Sequence, residues 1–451
     1  MTINKIAPVA LLLLAVAFSA SAQEGVMGVK DCMEYAVSNS TKMRIRQAET
    51  GDARIARRQA VLAAFTPEIS GGIYTYYNFG RTVDPQTNTY VNTTSFHNSY
   101  SLSAGINLFN GFEAVNNMKI TRTSLQMGIS QERQAEADIC LATMEAYYNA
   151  VYYTLLSKSY EEQCTTAQEK LELTRKQEKL GVKGYADVVQ SESDLAKRRY
   201  EFTNAENLRR DAIITLQDVM FWPLDSVLTI DTDISADMVG VLQEDGEVEG
   251  IISYAKAYNP AAIQALGKFN NAKLELQTAK WQLLPSFALY GGWSTTYFQY
   301  PGGMSTDPFR QQFLNNGGEY VQLSINIPIY SRLSRQSNLA KKRNALERSS
   351  AEYDQKMRDI EAEVRRAVQD RDASSDAYLQ AERYAEVQRE NYRLNSKKYE
   401  QGLISAIEYQ TATNDYLNSK AEKMNSLFKY LIKKSVVEYY SGVAYLEQEY
   451  L

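Results

Sequence analysis

Two long stretches of this sequence lack the residues that stop helices. Between Phe112 and Leu180 there is no proline and a single glycine, Gly128; between Leu333 and Gln401 there is neither. Proline removes a backbone donor and clashes with the preceding turn, and glycine weakens a helix interior, so their absence lets a helix propagate. At 1.5 Å per residue each stretch predicts a helix of roughly 100 Å, too long for one compact core. Helices of that length hold together by packing side by side. On the last of them Leu417, Ala421, Met424, Phe428 and Leu431 alternate spacings of four and three, which predicts a coiled-coil seam.

The long stretches belong to an internal repeat with a spacing near 220 residues. Tyr35-Ala36 followed by Asn39 is echoed by Tyr254-Ala255 followed by Asn259, each opening a helical pattern. Phe65 to Ile69 is echoed by Leu284 to Phe287, Ser99–Asn110 by Tyr320–Ser331, and Gly181–Asp187 by Gly402–Glu408. Each half reads as helix, two strands, long helix, turn, helix. The expected boundaries are a first repeat over 23–220, an acidic linker over 221–250, a second repeat over 251–446 and a tail over 447–451. From Asp211 to Ala255 there are ten acidic residues and no Lys or Arg, the composition of a solvated connection.

The expected strands cover about 68–79, 99–109, 285–299 and 319–330. Tyr100, Leu102, Ala104, Ile106 and Leu108 share one face, opposed by Ser99, Ser101, Ser103, Gly105 and Asn107. Val321, Leu323, Ile325, Ile327 and Ile329 likewise oppose Gln322, Ser324 and Asn326. Such alternation fits a membrane sheet between lipid and water, or a soluble sheet with one solvated face. Strands of about ten residues, and aromatics such as Tyr74, Tyr76, Tyr77, Tyr290, Trp293 and Tyr297 along them, favour the membrane. Gly80–Ser95 and Tyr300–Gly318 read as exposed loops, with His97 in polar loop surroundings. Four strands leave two edges that lipid cannot satisfy, so several copies must close one barrel together.

Lys5, the apolar run Val9–Phe18 and Ala20-Ser21-Ala22 form a secretory signal, expected over 1–22. The net charge of −5 gives no support to a nucleic-acid partner. Three cysteines, Cys32, Cys140 and Cys164, have no disulfide or metal spacing, and Cys32 lies too far from the cleavage site to carry a lipid. With His97 as the single histidine, no nucleophile–base pair, no phosphate-binding glycine loop and no metal-ligand cluster, the sequence predicts neither an enzyme nor a cofactor.

From Val29 to about Leu446 the chain resembles the TolC family of outer-membrane efflux proteins. The resemblance rests on the two-fold repeat, the opening Cys32-Met-Glu-Tyr-Ala helix, and Tyr399-Glu-Gln-Gly402-Leu-Ile-Ser405 followed by Ile407-Glu408. It implies a mostly α fold with a membrane part: a homotrimer whose four strands per chain make a twelve-stranded β-barrel, continued by long antiparallel helices as a periplasmic α-barrel. The function it implies is an exit duct in the outer membrane for a tripartite efflux or type I secretion system. Its partners would be a periplasmic adaptor, an inner-membrane pump and outer-membrane lipid. The turns Gly181–Gly184 and Gly402–Ser405 would contact the adaptor. Glu408 matches an acidic ring position at the pore constriction, Thr411 stands where the family pattern has a second acid, and Asp187 holds the equivalent place in the first half. The alternative is a non-transporting coiled-coil surface protein.

Overall fold

The computed structural model describes residues 26–84, 87–233, 248–301 and 305–450; the expected signal segment 1–22 lies outside them. In chain order the elements are α1 (Val29–Asn39), α2 (Thr41–Phe65), β1 (Glu68–Val83), β2 (Tyr90–Phe109), α3 (Glu113–Lys179) and α4 (Tyr185–Met220). The second half repeats the pattern with α5 (Val248–Tyr258), α6 (Pro260–Trp281), β3 (Ser286–Gln299), a short α7 (Phe309–Asn315), β4 (Gly318–Asn326), α8 (Ser334–Glu400) and α9 (Ala406–Ser441). The two long helices, α3 and α8, have 67 residues each, and the return helices α4 and α9 have 36 each. The fold is mostly helical, with two tandem repeats and one antiparallel sheet in the order β1-β2-β3-β4.

The chain divides into two compact units. Of the described residues, the smaller contains 26–33 and 146–233, with the last part of α3 and all of α4. Its helical hairpin is held by an aliphatic seam of Ala167, Leu171, Val188 and Leu195. Beside that seam Arg198 is buried and bonded to Glu201 and Gln163, each at 3.0 Å, with Asp194 at 3.6 Å. The described part of the expected linker, 221–233, is mostly exposed but is tied down locally. Met27 donates to Thr229 O and Asp231 donates to Met27 O, both at 3.0 Å, Leu228 and Ile230 are buried, and the Tyr147 hydroxyl donates to Asp231 O. Its backbone groups find partners in the N-terminal segment, which charge counting along the sequence does not see.

The larger unit holds the sheet and α5, α6, α8 and α9, with a core that includes Ile251, Ile252, Ile360, Val364 and Val437. Asn259 caps α6 by accepting from Ala261 N at 2.9 Å, as Ser40 caps α2 by accepting from Met43 N at 3.3 Å. The seam of α9 differs from the expected one. Ala412, Ser419, Ser426, Tyr430 and Val437 are buried, whereas of the expected set only Phe428 is. Serine and alanine at seven-residue spacing allow close approach to α8, a contact that apolar periodicity alone overlooks. Beyond α9, Tyr445 stacks on Tyr439 at 4.9 Å and Gln448 donates to Ser435 O, so the expected tail is packed as far as Gln448.

The strands depart from expectation in four places. Pairing of β1 with β2 continues to Val83↔Tyr90, so most of the expected Gly80–Ser95 loop is strand. The Thr, Val and Tyr residues there suit a pleated ribbon better than their polar neighbours suggest. His97 accordingly sits within β2, stacked on Tyr76 at 4.9 Å, and not in a loop. The fourth strand stops at Asn326; Pro328 lacks the ladder donor, and Ile327 and Ile329 lie beyond the sheet, exposed. The expected loop Tyr300–Gly318 contains α7.

Candidate functional site

The sheet has two chemically distinct faces. The register places Ile69, Ile73 and Tyr77 of β1 with Tyr100, Leu102, Ala104 and Ile106 of β2. The same face continues through Leu289, Trp293 and Tyr297 of β3 to Leu323 and Ile325 of β4. A register shift between Asn107 and Phe109 brings Phe109 onto this face opposite Phe287, with ring centroids 6.2 Å apart. The other face carries Ser70, Ser99, Ser101, Ser103, Asn107, Ser294, Gln322 and Ser324. Its tyrosines lie over glycines directly across the strand pair: Tyr290 over Gly105 and Tyr320 over Gly292.

Both edge strands are exposed and apolar. Ile73, Phe79, Val321 and Leu323 are 58% to 82% solvent-accessible, and the outer ladders of β1 and β4 have no partner strand among the described residues. Unpaired ladder groups beside an apolar surface cannot rest in lipid, because nothing there accepts their hydrogen bonds.

The two predicted turns have one design. At the end of α3, Gly181 donates to Glu178 O and Val182 to Gln177 O; at the end of α8, Gly402 donates to Tyr399 O and Leu403 to Lys398 O. Gly181 and Gly402 have φ of +73° and +72°, the left-handed conformation that closes a helix end at least cost with glycine. The return helices then start with equivalent caps. Asp187 accepts from Gly184 N at 3.1 Å. Glu408 Oε2 accepts from Ser405 N at 2.8 Å and from the Ser405 hydroxyl at 3.0 Å, while Glu408 N donates back to Ser405 Oγ at 3.2 Å. The Ser405 backbone N–H, then its hydroxyl, hold the Glu408 carboxyl below the usual carboxylate range. Thr411 is exposed and donates to Ile407 O within its own helix.

Gly181, Gly184 and Asp187 lie in the smaller unit, and Gly402, Ser405, Glu408 and Thr411 in the larger. Leu180, Val182 and Tyr185 around the first turn, and Leu403 and Ile407 around the second, are 66% to 78% exposed. Sequence reasoning missed the tyrosines behind the second turn. Tyr399 stacks on Tyr409 at 4.8 Å, and Tyr392 on Tyr416 at 5.4 Å. Their seven-residue spacing on each helix, Tyr392 to Tyr399 and Tyr409 to Tyr416, was the available signal. The Tyr409 hydroxyl, then burial, push the Tyr392 phenol up to about 12.

Burial pushes the Cys32 and Cys140 thiols up to about 12, so neither is a thiolate at neutral pH. Among the described residues no group of three or more His, Cys, Asp or Glu is placed to hold a metal ion, and no helix is long and apolar enough to cross a membrane.

A two-faced sheet and paired turned hairpins have a close counterpart in sequence. Residues 36–220 and 251–435 each match the profile of the outer membrane efflux protein family. The chain belongs to that family. As a member it is an outer-membrane channel for efflux, in a family that works in tripartite systems with an adaptor and an inner-membrane pump. No curated protein matches the chain by sequence. Among solved structures, a CusC channel matches with a TM-score of 0.75 at 17% identity over 92% of both chains. The outer membrane protein VceC of Vibrio cholerae matches at 0.72 and 14% identity, over 92% of this chain and 96% of that one. The CmeC channel of Campylobacter jejuni matches at 0.71 and 13% identity, over 93% of this chain and 85% of that one.

Proposed function

We propose that this efflux channel is a homotrimer in which three copies of the four-stranded sheet close one twelve-stranded barrel. The observation that carries the reading is the sheet itself: one apolar face, one face of small hydroxyls and amides, and open edges at β1 and β4. Closing the edges on neighbouring copies satisfies their ladders, turns the apolar face to lipid and leaves a polar lumen. The 67-residue helices and their partners then form the periplasmic extension, and the protein is a passive duct while the pump supplies the energy.

The turns at Gly181–Gly184 and Gly402–Ser405, with their exposed aliphatic side chains, each contact the adaptor. Glu408 is the acidic group at the constriction, three copies setting three carboxylates around the pore with Thr411 beside them. Asp187 caps the first return helix at the position of the first repeat that corresponds to Glu408. Such a ring favours cations over anions.

The test is native mass and electron microscopy of protein extracted from outer membranes. A mass of three copies and three-fold hollow end views are the expected result. A monomer, or a solid rod with no barrel end, would sink the proposal.

A further inference from the structure

β1 has 16 residues and β4 has nine. If β4 of one copy pairs with β1 of the next, at least seven residues of β1 are left without a ladder partner, whatever the stagger. Gly318, the first residue of β4, is level with Ser294, Ser101 and Gly72 across the sheet, so the chain's own β1 runs on from Ile73 to Val83 past the point where β4 begins. That overhang carries exposed Ile73, Tyr77 and Phe79. It is a long edge with exposed apolar and aromatic side chains, the kind that pairs indiscriminately unless covered.

Over the same rise, β3 has replaced its missing strand partner with α7. Gln312, 3% exposed, accepts from Phe298 N and donates to Phe298 O, both at 3.0 Å, copying with one side chain the two bonds of a ladder residue. Its amide also donates to Asp307 O at 2.7 Å, which fixes the approach to the helix. Asn316 donates to Thr296 O at 2.7 Å, and the Thr295 hydroxyl donates to Phe313 O at 2.9 Å. Phe309 and Phe313 anchor the helix on the apolar face against Tyr100, at 6.1 and 5.4 Å. The helix is built into the sheet, in the place that β4 would otherwise extend to fill.

We propose that α7 is an inter-subunit docking element: it receives the overhanging outer half of β1 from a second copy of this chain, above the β4–β1 ladder. This rests on barrel closure by neighbouring copies. The arrangement gives the overhang a partner and ends the ladder at Gly318.

The experiment uses the full chain in outer membranes. Cysteine at Gln311 or Asn315 of α7 is combined with cysteine at Tyr77, Phe79 or Arg81 of β1, and disulfide-linked copies are read on non-reducing gels. Cysteines scanned along Gly318–Ile325, paired with cysteines at Glu68–Ile73, serve as the control for closure. The expected result is inter-copy linkage from both sets, with the native mass of a trimer. Linkage from the β4 set and none from the α7 set overturns the docking while leaving closure intact. A monomeric mass with no linkage from either set overturns both. As a second reading, Gln312→Ala should speed amide exchange at Phe298 and lower the temperature at which copies dissociate in detergent, with exchange in Ile69–Ile73 unchanged. Unchanged dissociation with freed Phe298 would reduce α7 to an edge cap within one copy.

Discussion

Gly402 follows Gly181 by 221 positions and repeats its backbone, φ +72° against +73°. Each donates to the carbonyl three residues before it, and the next residue donates across five, so two helix ends of different sequence close by one hydrogen-bond pattern. No heavy atom lies within 4 Å of where a Cβ would sit at either position, so backbone conformation and not space requires the glycine. Alanine at either site should cost about 1–2 kcal/mol, seen as faster amide exchange at Leu403 or Val182. Proline cannot adopt that φ and removes the donor. Gly402→Pro or Gly181→Pro should therefore lower efflux through weakened adaptor coupling, with the trimer retained. Wild-type efflux from either proline variant would contradict the adaptor role.

The Glu408 cap predicts a pH dependence. Its carboxyl is held below the ordinary 4.5, so its contribution to the start of α9 is complete above about that pH and is lost as the pH falls through the lowered value. Amide exchange in the first turn of α9 should accelerate on acidification below the usual carboxylate range. In Glu408→Gln that acceleration should vanish. Planar-bilayer conductance of Glu408→Ala should show weaker cation preference and weaker block by divalent ions; unchanged values would place Glu408 away from the constriction.

Gly291 and Gly292 are neighbours on opposite faces of β3 and should respond differently to alanine. A Cβ at Gly292 would lie 2.7 Å from the Tyr320 ring and 2.9 Å from Leu102 O, whereas one at Gly291 finds Tyr320 O at an ordinary 3.7 Å. Gly292→Ala should destabilise by about 1–3 kcal/mol, the usual cost of overpacking. Gly291→Ala should be neutral or mildly stabilising. Thermal dissociation in detergent separates the two.

Buried Arg198 offers a fourth test. Arg198→Ala leaves the Asp194 and Glu201 carboxylates without their guanidinium. The loss should fall below the roughly 3–5 kcal/mol of a fully buried pair, since both acids retain water contact. Arg198→Met, which fills the same space, should recover part of it in a thermal melt.

Much of the architecture follows from the sequence because its causes are local. The long helices require only that Pro and Gly be absent over 112–180 and 333–401. The strand faces follow from strict alternation through Tyr100, Leu102, Ala104 and Ile106, and the turns from glycines placed at helix ends. The capping of Glu408 by Ser405 is legible too, because its partners are three residues apart. Neighbouring residues meet whatever the rest of the chain does.

Long-range partners were settled only by the tertiary structure. Strand ends depend on what lies across the ladder: Gly80–Val83 became strand because Tyr90–Thr93 stands opposite, and Ile327 left the sheet where Pro328 ends pairing. Gln312 reads as an ordinary polar loop residue until Phe298 is found beside it. The seam of α9 runs through Ala412, Ser419 and Ser426, where small size matters more than apolarity because α8 comes close. A sequence sets the periodicity with which a chain can bury its faces, but which groups meet across the fold depends on distances that no spacing along the chain encodes.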